Sequence, residues 1–325
     1  MTGLSDFFQR PIDYLRVSVT DRCNLRCRYC VPESGIELLS HADILSYEEI
    51  VRVVEAAVPL GITAVRLTGG EPLVRANLVH LVRLLAAVPA IEDLSLTTNG
   101  VVLAEHARAL RDAGLRRVNV SLDSLRPERF RQITRVDALA DVLRGINAAR
   151  ACGLSPVKTN TVVMRGVNDD EVVDFARRTV TDGWHVRFIE LMPVGCATHL
   201  QFVPASEMRE RLSELGPLED TEQLRGSGPA RYFRLPGAEG TIGFISPVSE
   251  HFCFGCNRLR LTADGRLRPC LLSDDDIDLR AQLRRGATNR ELQDLIVRAV
   301  EAKPERHRLH EGISARGRGM AQIGG

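Results

Sequence analysis

YLRVSVTDRCNLRCRYC, residues 14–30, is the stretch on which the reading of the fold turns. Its first seven residues alternate: Leu15, Val17 and Val19 are apolar, while Arg16, Ser18 and Thr20 are polar. A period of two is that of a strand whose faces meet different surroundings. The chain then passes directly into a polar loop holding Cys23, Cys27 and Cys30. The same alternation recurs in the runs 64–68, 93–98, 117–123, 157–164 and 185–192, with Arg66, Thr97, Ser121, Lys158 and Arg187 on the polar side. Helical patterns separate these runs, at 47–59, 77–87, 103–113, 139–151 and 170–181, several of them closing on Gly. Six βα units in series predict a parallel sheet with right-handed crossovers.

Strands buried on both faces read as continuous apolar runs, and these do not. One face must pack against helices while the other stays polar and cationic. A closed eightfold barrel fills its interior with apolar side chains. The pattern therefore predicts an α/β protein built as an incomplete (β/α)6 barrel of TIM type, with an open sheet bearing an exposed edge as the alternative. After Met192 the pattern breaks into a Pro/Gly-punctuated segment with a short helix at 206–215. Hairpin strands follow at 231–235, 241–245, 258–262 and 266–269, the last two joined by Asp264-Gly265, and then a helix at 289–300. The expected division is 1–225 for the partial barrel and 226–325 for a C-terminal α+β extension.

With 325 residues, 44% hydrophobic and 26% charged, the composition is that of a globular protein and excludes disordered and disulfide-stapled classes. No apolar run approaches the ~20 residues of a spanning helix. Residues 1–10 lack a signal peptide's apolar core, which predicts a cytoplasmic protein whose eight cysteines are not disulfides. A net charge of +1 gives no case for nucleic acid or membrane surfaces. Of 43 cationic residues only Lys158 and Lys303 are lysines, and Lys158 stands inside an apolar strand pattern.

Cys23, Cys27 and Cys30 form C-x3-C-x2-C on one loop. Three thiolates suit an iron-sulfur cluster, and they would leave the fourth iron of a [4Fe-4S] cube open. A structural zinc site usually closes with four ligands, and no fourth Cys or His is near. The second strand runs into Thr68-Gly69-Gly70-Glu71-Pro72, where two glycines permit a sharp turn and a close approach to a ligand. Cys253, Cys256 and Cys270 form C-x2-C-x13-C, which by itself reads as either zinc, with His251 as fourth ligand, or a second cluster.

The first cysteine motif, with Tyr29 before its last cysteine, resembles the signature of the radical S-adenosylmethionine (SAM) enzymes. The run from Cys253 to Thr262, together with Arg268-Pro269-Cys270, resembles the GTP 3′,8-cyclases of molybdenum cofactor biosynthesis, over nearly the whole chain. Val31 departs from the Met of many relatives, without removing a ligand. The resemblance implies two [4Fe-4S] clusters, on Cys23, Cys27 and Cys30 and on Cys253, Cys256 and Cys270. It implies SAM contacts at Tyr29, Gly70, Ser121 and Met192. GTP contacts are implied at Arg16, Arg66, Thr97, Lys158, Arg258, Leu259 and Arg260. In that family the 5′-deoxyadenosyl radical takes the hydrogen from ribose C3′, and the carbon radical attacks guanine C8. The Gly324-Gly325 tail is expected to enter the barrel and to bring an arginine, Arg316 or Arg318, to the reaction. An external one-electron reductant, a downstream cyclic pyranopterin monophosphate synthase and a homodimer are the implied partners. A peptide-modifying radical SAM maturase and a zinc-binding interaction protein are the rival readings.

Overall fold

In the computed structural model, which describes residues 3–222, 228–311 and 318–324, the alternation noted above separates two interiors. Leu15 and Val17 of β1 (Tyr14–Ser18) lie in the apolar core with Ile50, Val53 and Val54 of α1 (Tyr47–Ala57). Arg16, on the opposite face, lines a cavity. β2 (Ala64–Thr68), β3 (Asp93–Thr98), β4 (Arg117–Ser121), β5 (Val157–Val163) and β6 (His185–Glu190) follow in parallel register. The crossovers are α1, α2 (Leu78–Ala86), α3 (Leu103–Asp112), the pair α4 (Pro127–Thr134) and α5 (Leu139–Ala151), and α6 (Val172–Thr181). Helix starts are fixed locally: at α1, Ser46 and Glu49 bond reciprocally to each other's backbone N–H.

Beyond α7 (Ala205–Leu212), the C-terminal strands do not form a separate sheet. β7 (Glu219–Asp220), β8 (Arg231–Arg234) and β9 (Thr241–Ile245) extend one edge, with β9 parallel to β6. β10 (Arg258–Leu261), β11 (Arg266–Arg268) and β12 (Ile277–Asp278) extend the other, with β10 parallel to β1 so that Arg260 stands opposite Arg16. α8 (Leu279–Arg284) and α9 (Asn289–Glu301) complete that side, α9 packing on α1.

The outcome is a twelve-stranded mixed sheet in the order β12-β11-β10-β1-β2-β3-β4-β5-β6-β9-β8-β7. The two outermost strands, β12 and β7, are not paired with each other, so the sheet is not closed. The α/β class is as expected, but the parallel run is longer than six strands, because β9 and β10 join it at either side. The division expected near residue 225 falls between β7 and β8, which pair with each other. Strands 1, 4 and 6 also end earlier than the alternation suggests. Asp123 and Met192 have already left the sheet and line the cavity.

Candidate active site

The loop after β1 is held from both sides by backbone. Val19 N–H donates to Thr68 O (2.9 Å), and Arg26 and Arg28 N–H donate to Thr134 O and Ile133 O at the end of α4 (3.0 and 2.9 Å). Gly69 and Gly70 pack on its start: a Cβ at Gly69 would stand 2.6 Å from Thr20 O, and one at Gly70 would collide with the Arg22 carbonyl. These glycines are therefore required by backbone approaching backbone. Gly70 N–H and Glu71 N–H then donate to Thr20 O and Arg22 O, both at 2.7 Å.

The fully buried Glu71 carboxylate accepts from Thr98 Oγ1 (2.7 Å), Asn99 N (2.6 Å) and Leu73 N (3.0 Å). Burial nonetheless pushes its pKa up to about 7. Asn99 turns its amide to Cys23 Sγ at 3.7 Å. Tyr29 Oη donates to Asp123 Oδ2 (2.8 Å), and burial raises that carboxyl to about 6. Burial, then Cys23 and Cys196, raises Cys30 to about 12, opposed by the Ala321 N–H that donates to it. Buried thiols of this kind stay protonated until a metal takes the proton's place.

Cys253, Cys256 and Cys270 come to the other side of the same cavity. Arg10 Nη1 donates to Cys253 O (2.7 Å), and Lys303 Nζ and Arg258 Nη2 approach Cys256 Sγ at 3.5 and 3.7 Å. Burial would raise Cys256, but Arg258 and Lys303 outweigh it and hold the thiol at about 6. His251, the alternative fourth zinc ligand, does not line this cavity and stacks edge-on to His307 at 5.6 Å. Among the described residues, no three His, Cys, Asp or Glu side chains converge on a single-ion site. A cube makes no such demand, since each iron takes one thiolate, and two loops of three soft donors facing one cavity fit such clusters.

The cavity between the triads measures about 310 Å³. Arg16, Arg66, Arg258 and Arg260 line it, with Thr97 and Arg187. Burial holds Arg66 and Arg260 down at about 10, still cationic at neutral pH. Gly70, Tyr29, Ser121 and Met192 line it as well, Met192 packing in the same apolar cluster as Cys270. Asn160, which accepts from Arg187 Nε at 2.8 Å, also lines it.

Not every expected residue is there. Lys158 is buried beneath, with its ammonium over the Tyr232 ring at 5.2 Å. Leu259 points the other way, into the apolar core, so only its backbone is on the side of Arg258 and Arg260. Arg318 is paired with Asp264 (2.7 Å), and Arg316 and Gly325 lie outside the described residues. Gly324 O does enter, accepting from Arg16 Nη2 (3.1 Å), Thr68 Oγ1 (3.3 Å) and Arg260 Nη1 (3.4 Å). Arg10 and Lys303 were not anticipated as supports; the rarity of lysine in this chain was the available signal for Lys303.

The model of the radical SAM superfamily matches residues 17–179, and that of molybdenum cofactor synthesis C matches 184–309. The chain is 53% identical to the GTP 3′,8-cyclase of Moorella thermoacetica and 54% identical to that of Pelotomaculum thermopropionicum, in each case over 99% of this chain and 100% of the relative. The chain belongs to the GTP 3′,8-cyclase family. Membership brings the radical SAM assignment and, with it, SAM and a [4Fe-4S] cluster. Among solved structures, Streptococcus suis SuiB bound to SAM superposes with a TM-score of 0.60 at 13% identity, covering 82% of this chain and 63% of SuiB. SuiB bound to its precursor peptide gives 0.64 at 11%, covering 90% and 65%. The chain thus spans less than two thirds of SuiB's length, and at that identity the likeness concerns the fold alone. No helix among the described residues is long and apolar enough to cross a membrane.

Proposed function

We propose that this chain carries out the SAM-dependent radical cyclisation of GTP to (8S)-3′,8-cyclo-7,8-dihydroguanosine 5′-triphosphate, the first step of molybdenum cofactor biosynthesis. The observation that carries the reading is the pairing of Arg16 with Arg260 on adjacent strands, in one cavity that both cysteine triads line. Several arginines facing one cavity suit a polyanion held by charge-assisted hydrogen bonds, and a triphosphate supplies that charge.

Cys23, Cys27 and Cys30 hold the first cluster, and Gly70, Tyr29, Ser121 and Met192 seat SAM against it. That cluster, when bound, supplies the electron that cleaves SAM. Cys253, Cys256 and Cys270 hold a second cluster at the nucleotide's base. Arg16, Arg66, Thr97, Arg258 and Arg260, with the Leu259 backbone, fix the ribose and phosphates, the Lys158 charge acts on them from beneath the cavity wall, and the wall of strands excludes water from the reacting carbon. The curvature needed to wrap these residues around one substrate favours a partial barrel with 226–325 as its cluster-bearing extension. The reading includes a cytoplasmic location, a homodimer that light scattering tests, an external one-electron reductant and a downstream cyclic pyranopterin monophosphate synthase as partners. An anaerobic assay with GTP, SAM and dithionite tests the activity. Formation of 5′-deoxyadenosine together with the cyclised nucleotide is the expected result, and SAM cleavage with GTP left intact would refute the substrate.

A further inference from the structure

Lys303 lies just past the end of α9 and is 4% exposed. Its ammonium donates to Arg258 O at 2.8 Å, to Pro269 O at 2.8 Å and to Cys256 Sγ at 3.5 Å. An ammonium has three protons, so these acceptors use all of them. They are not scattered: Arg258 is two residues beyond Cys256, and Pro269 immediately precedes Cys270. One cation therefore fastens both arms of the C-terminal cysteine set. The next two residues extend the same fastening, because Pro304 O and Glu305 O accept from Arg10, whose Nη1 also donates to Cys253 O. The segment 303–305 thus reaches Cys256 Sγ, the carbonyl that precedes Cys270 and, through Arg10, the Cys253 carbonyl.

Two carbonyls and a thiol, all from the cysteine arms, are the acceptors of this buried ammonium. Arginine, the usual cation of this chain, is not a substitute: its planar fork cannot direct three protons from one nitrogen to three acceptors. Lys303 does not line the cavity, which sets it apart from the residues that would touch the nucleotide.

We propose that Lys303 is a positioning residue for the C-terminal cluster, holding Cys256 and the arm that carries Cys270, and that its charge raises the reduction potential of that cluster. The proposal rests on the reading that Cys253, Cys256 and Cys270 bind a second [4Fe-4S] cluster. A nearby positive charge and an N–H···S bond both favour the more negative, reduced form.

The test uses anaerobically reconstituted full-length protein without GTP, comparing wild type with Lys303→Gln and Lys303→Met by iron content, electron paramagnetic resonance and redox titration. Wild type should hold about eight irons per chain. In Lys303→Gln, which keeps donors but loses the charge, the second cluster should titrate lower by about tenfold in its equilibrium constant, about 59 mV for one electron, while the first cluster stays unchanged. Lys303→Met should show the same shift or fall to about four irons, either of which supports the role. If Lys303→Met does not fold, Lys303→Gln decides. Eight irons and an unshifted second cluster in Lys303→Gln would overturn the proposal. About four irons in wild type itself would instead remove the second-cluster reading, and the proposal with it.

Discussion

Arg318 and Asp264 meet as a bidentate pair, Nη1 2.7 Å from Oδ1 and Nη2 2.7 Å from Oδ2. Asp264 belongs to the turn between β10 and β11, where Thr262 Oγ1 also donates to it at 2.6 Å, so the pair ties the C-terminal tail to the strand that carries Arg258 and Arg260. An arginine held in this way acts as an anchor, and the residue it positions is Gly324, whose carbonyl reaches Arg16 and Arg260.

Asp264→Asn should therefore loosen the tail by about 1.5 to 3 kcal/mol, the worth of hydrogen bonds to a charged partner. Limited trypsin digestion followed by mass spectrometry reads this as roughly tenfold or faster cleavage after Arg318. An unchanged cleavage rate would show that the pair does not seat the tail. Burial raises the Asp264 pKa, but Arg318 and Thr262 outweigh it and hold it at about 2. A depressed carboxyl stabilises above its unfolded pKa and loses that contribution as pH falls through about 4 to 2. The pair should thus leave no inflection in the pH profile of turnover between about 5 and 8.

Replacing Cys23, Cys27 or Cys30 by Ser should abolish SAM cleavage, because hydroxyl oxygen is a poor ligand for iron in such clusters. Replacing Cys253, Cys256 or Cys270 should lower iron by about half and abolish cyclisation while SAM cleavage persists uncoupled. Metal analysis and chromatography of 5′-deoxyadenosine separate the two cases. A second-set variant that cyclises GTP at the normal rate would end the substrate-binding role assigned to those cysteines.

How far the sequence could be read depended on the range of the interactions involved. Local alternation was sufficient for β1 to β6, since the polar face needs only residues two apart to declare itself. It was insufficient for the placement of β9 and β10, because the neighbour of Arg260 is Arg16, distant in sequence, and nothing local announces that pairing. The eight-residue α4, with only Phe130 and Ile133 as buried apolar residues, left too faint a period to detect, although Pro127 at its start was a usable signal. Within the site, the cysteine spacings were legible because ligands from one loop sit close in sequence. Supports such as Arg10 and Lys303 were not, since each acts on cysteine arms from the opposite end of the chain or from a following helix.

Lys158 gives a prediction about protons. Burial first, then Arg187, Arg117 and Arg66, lower its pKa to about 6, against about 10.4 for an unfolded lysine. Between those values the folded chain binds fewer protons, so this residue makes stability rise with pH across the window. A triphosphate entering the cavity adds negative charge and restores the proton. GTP binding near pH 8 should therefore take up protons, seen by calorimetry as an enthalpy that varies with buffer ionisation heat, and Lys158→Met should lose that uptake. The variant should also bind GTP more weakly by about 2 kcal/mol while binding SAM normally. Equal proton uptake in variant and wild type would assign the titration to another group.

Gly324 is the sharpest point of the tail to probe. Its φ is +79°, a conformation that side chains rarely adopt, and a Cβ there would stand 3.1 Å from Thr68 Cγ2 and 3.2 Å from Ser18 Cβ. Gly324→Ala therefore meets both backbone strain and a tight wall, and the strained residue can relieve them only by withdrawing its carbonyl from Arg16, Thr68 and Arg260. The first cysteine loop is reached instead by Ala321, whose N–H donates to Cys30 and which lies before the altered residue. Cyclisation should fall at least tenfold, roughly the effect of 1.4 kcal/mol or more on the reacting arrangement, while iron content, thermal stability and uncoupled SAM cleavage stay close to wild type. Removing Gly324 and Gly325 should act in the same direction and more strongly, since it also deletes the carbonyl. Turnover unaltered in both variants would detach the tail from catalysis and leave the Gly324 contacts as a feature of the resting fold.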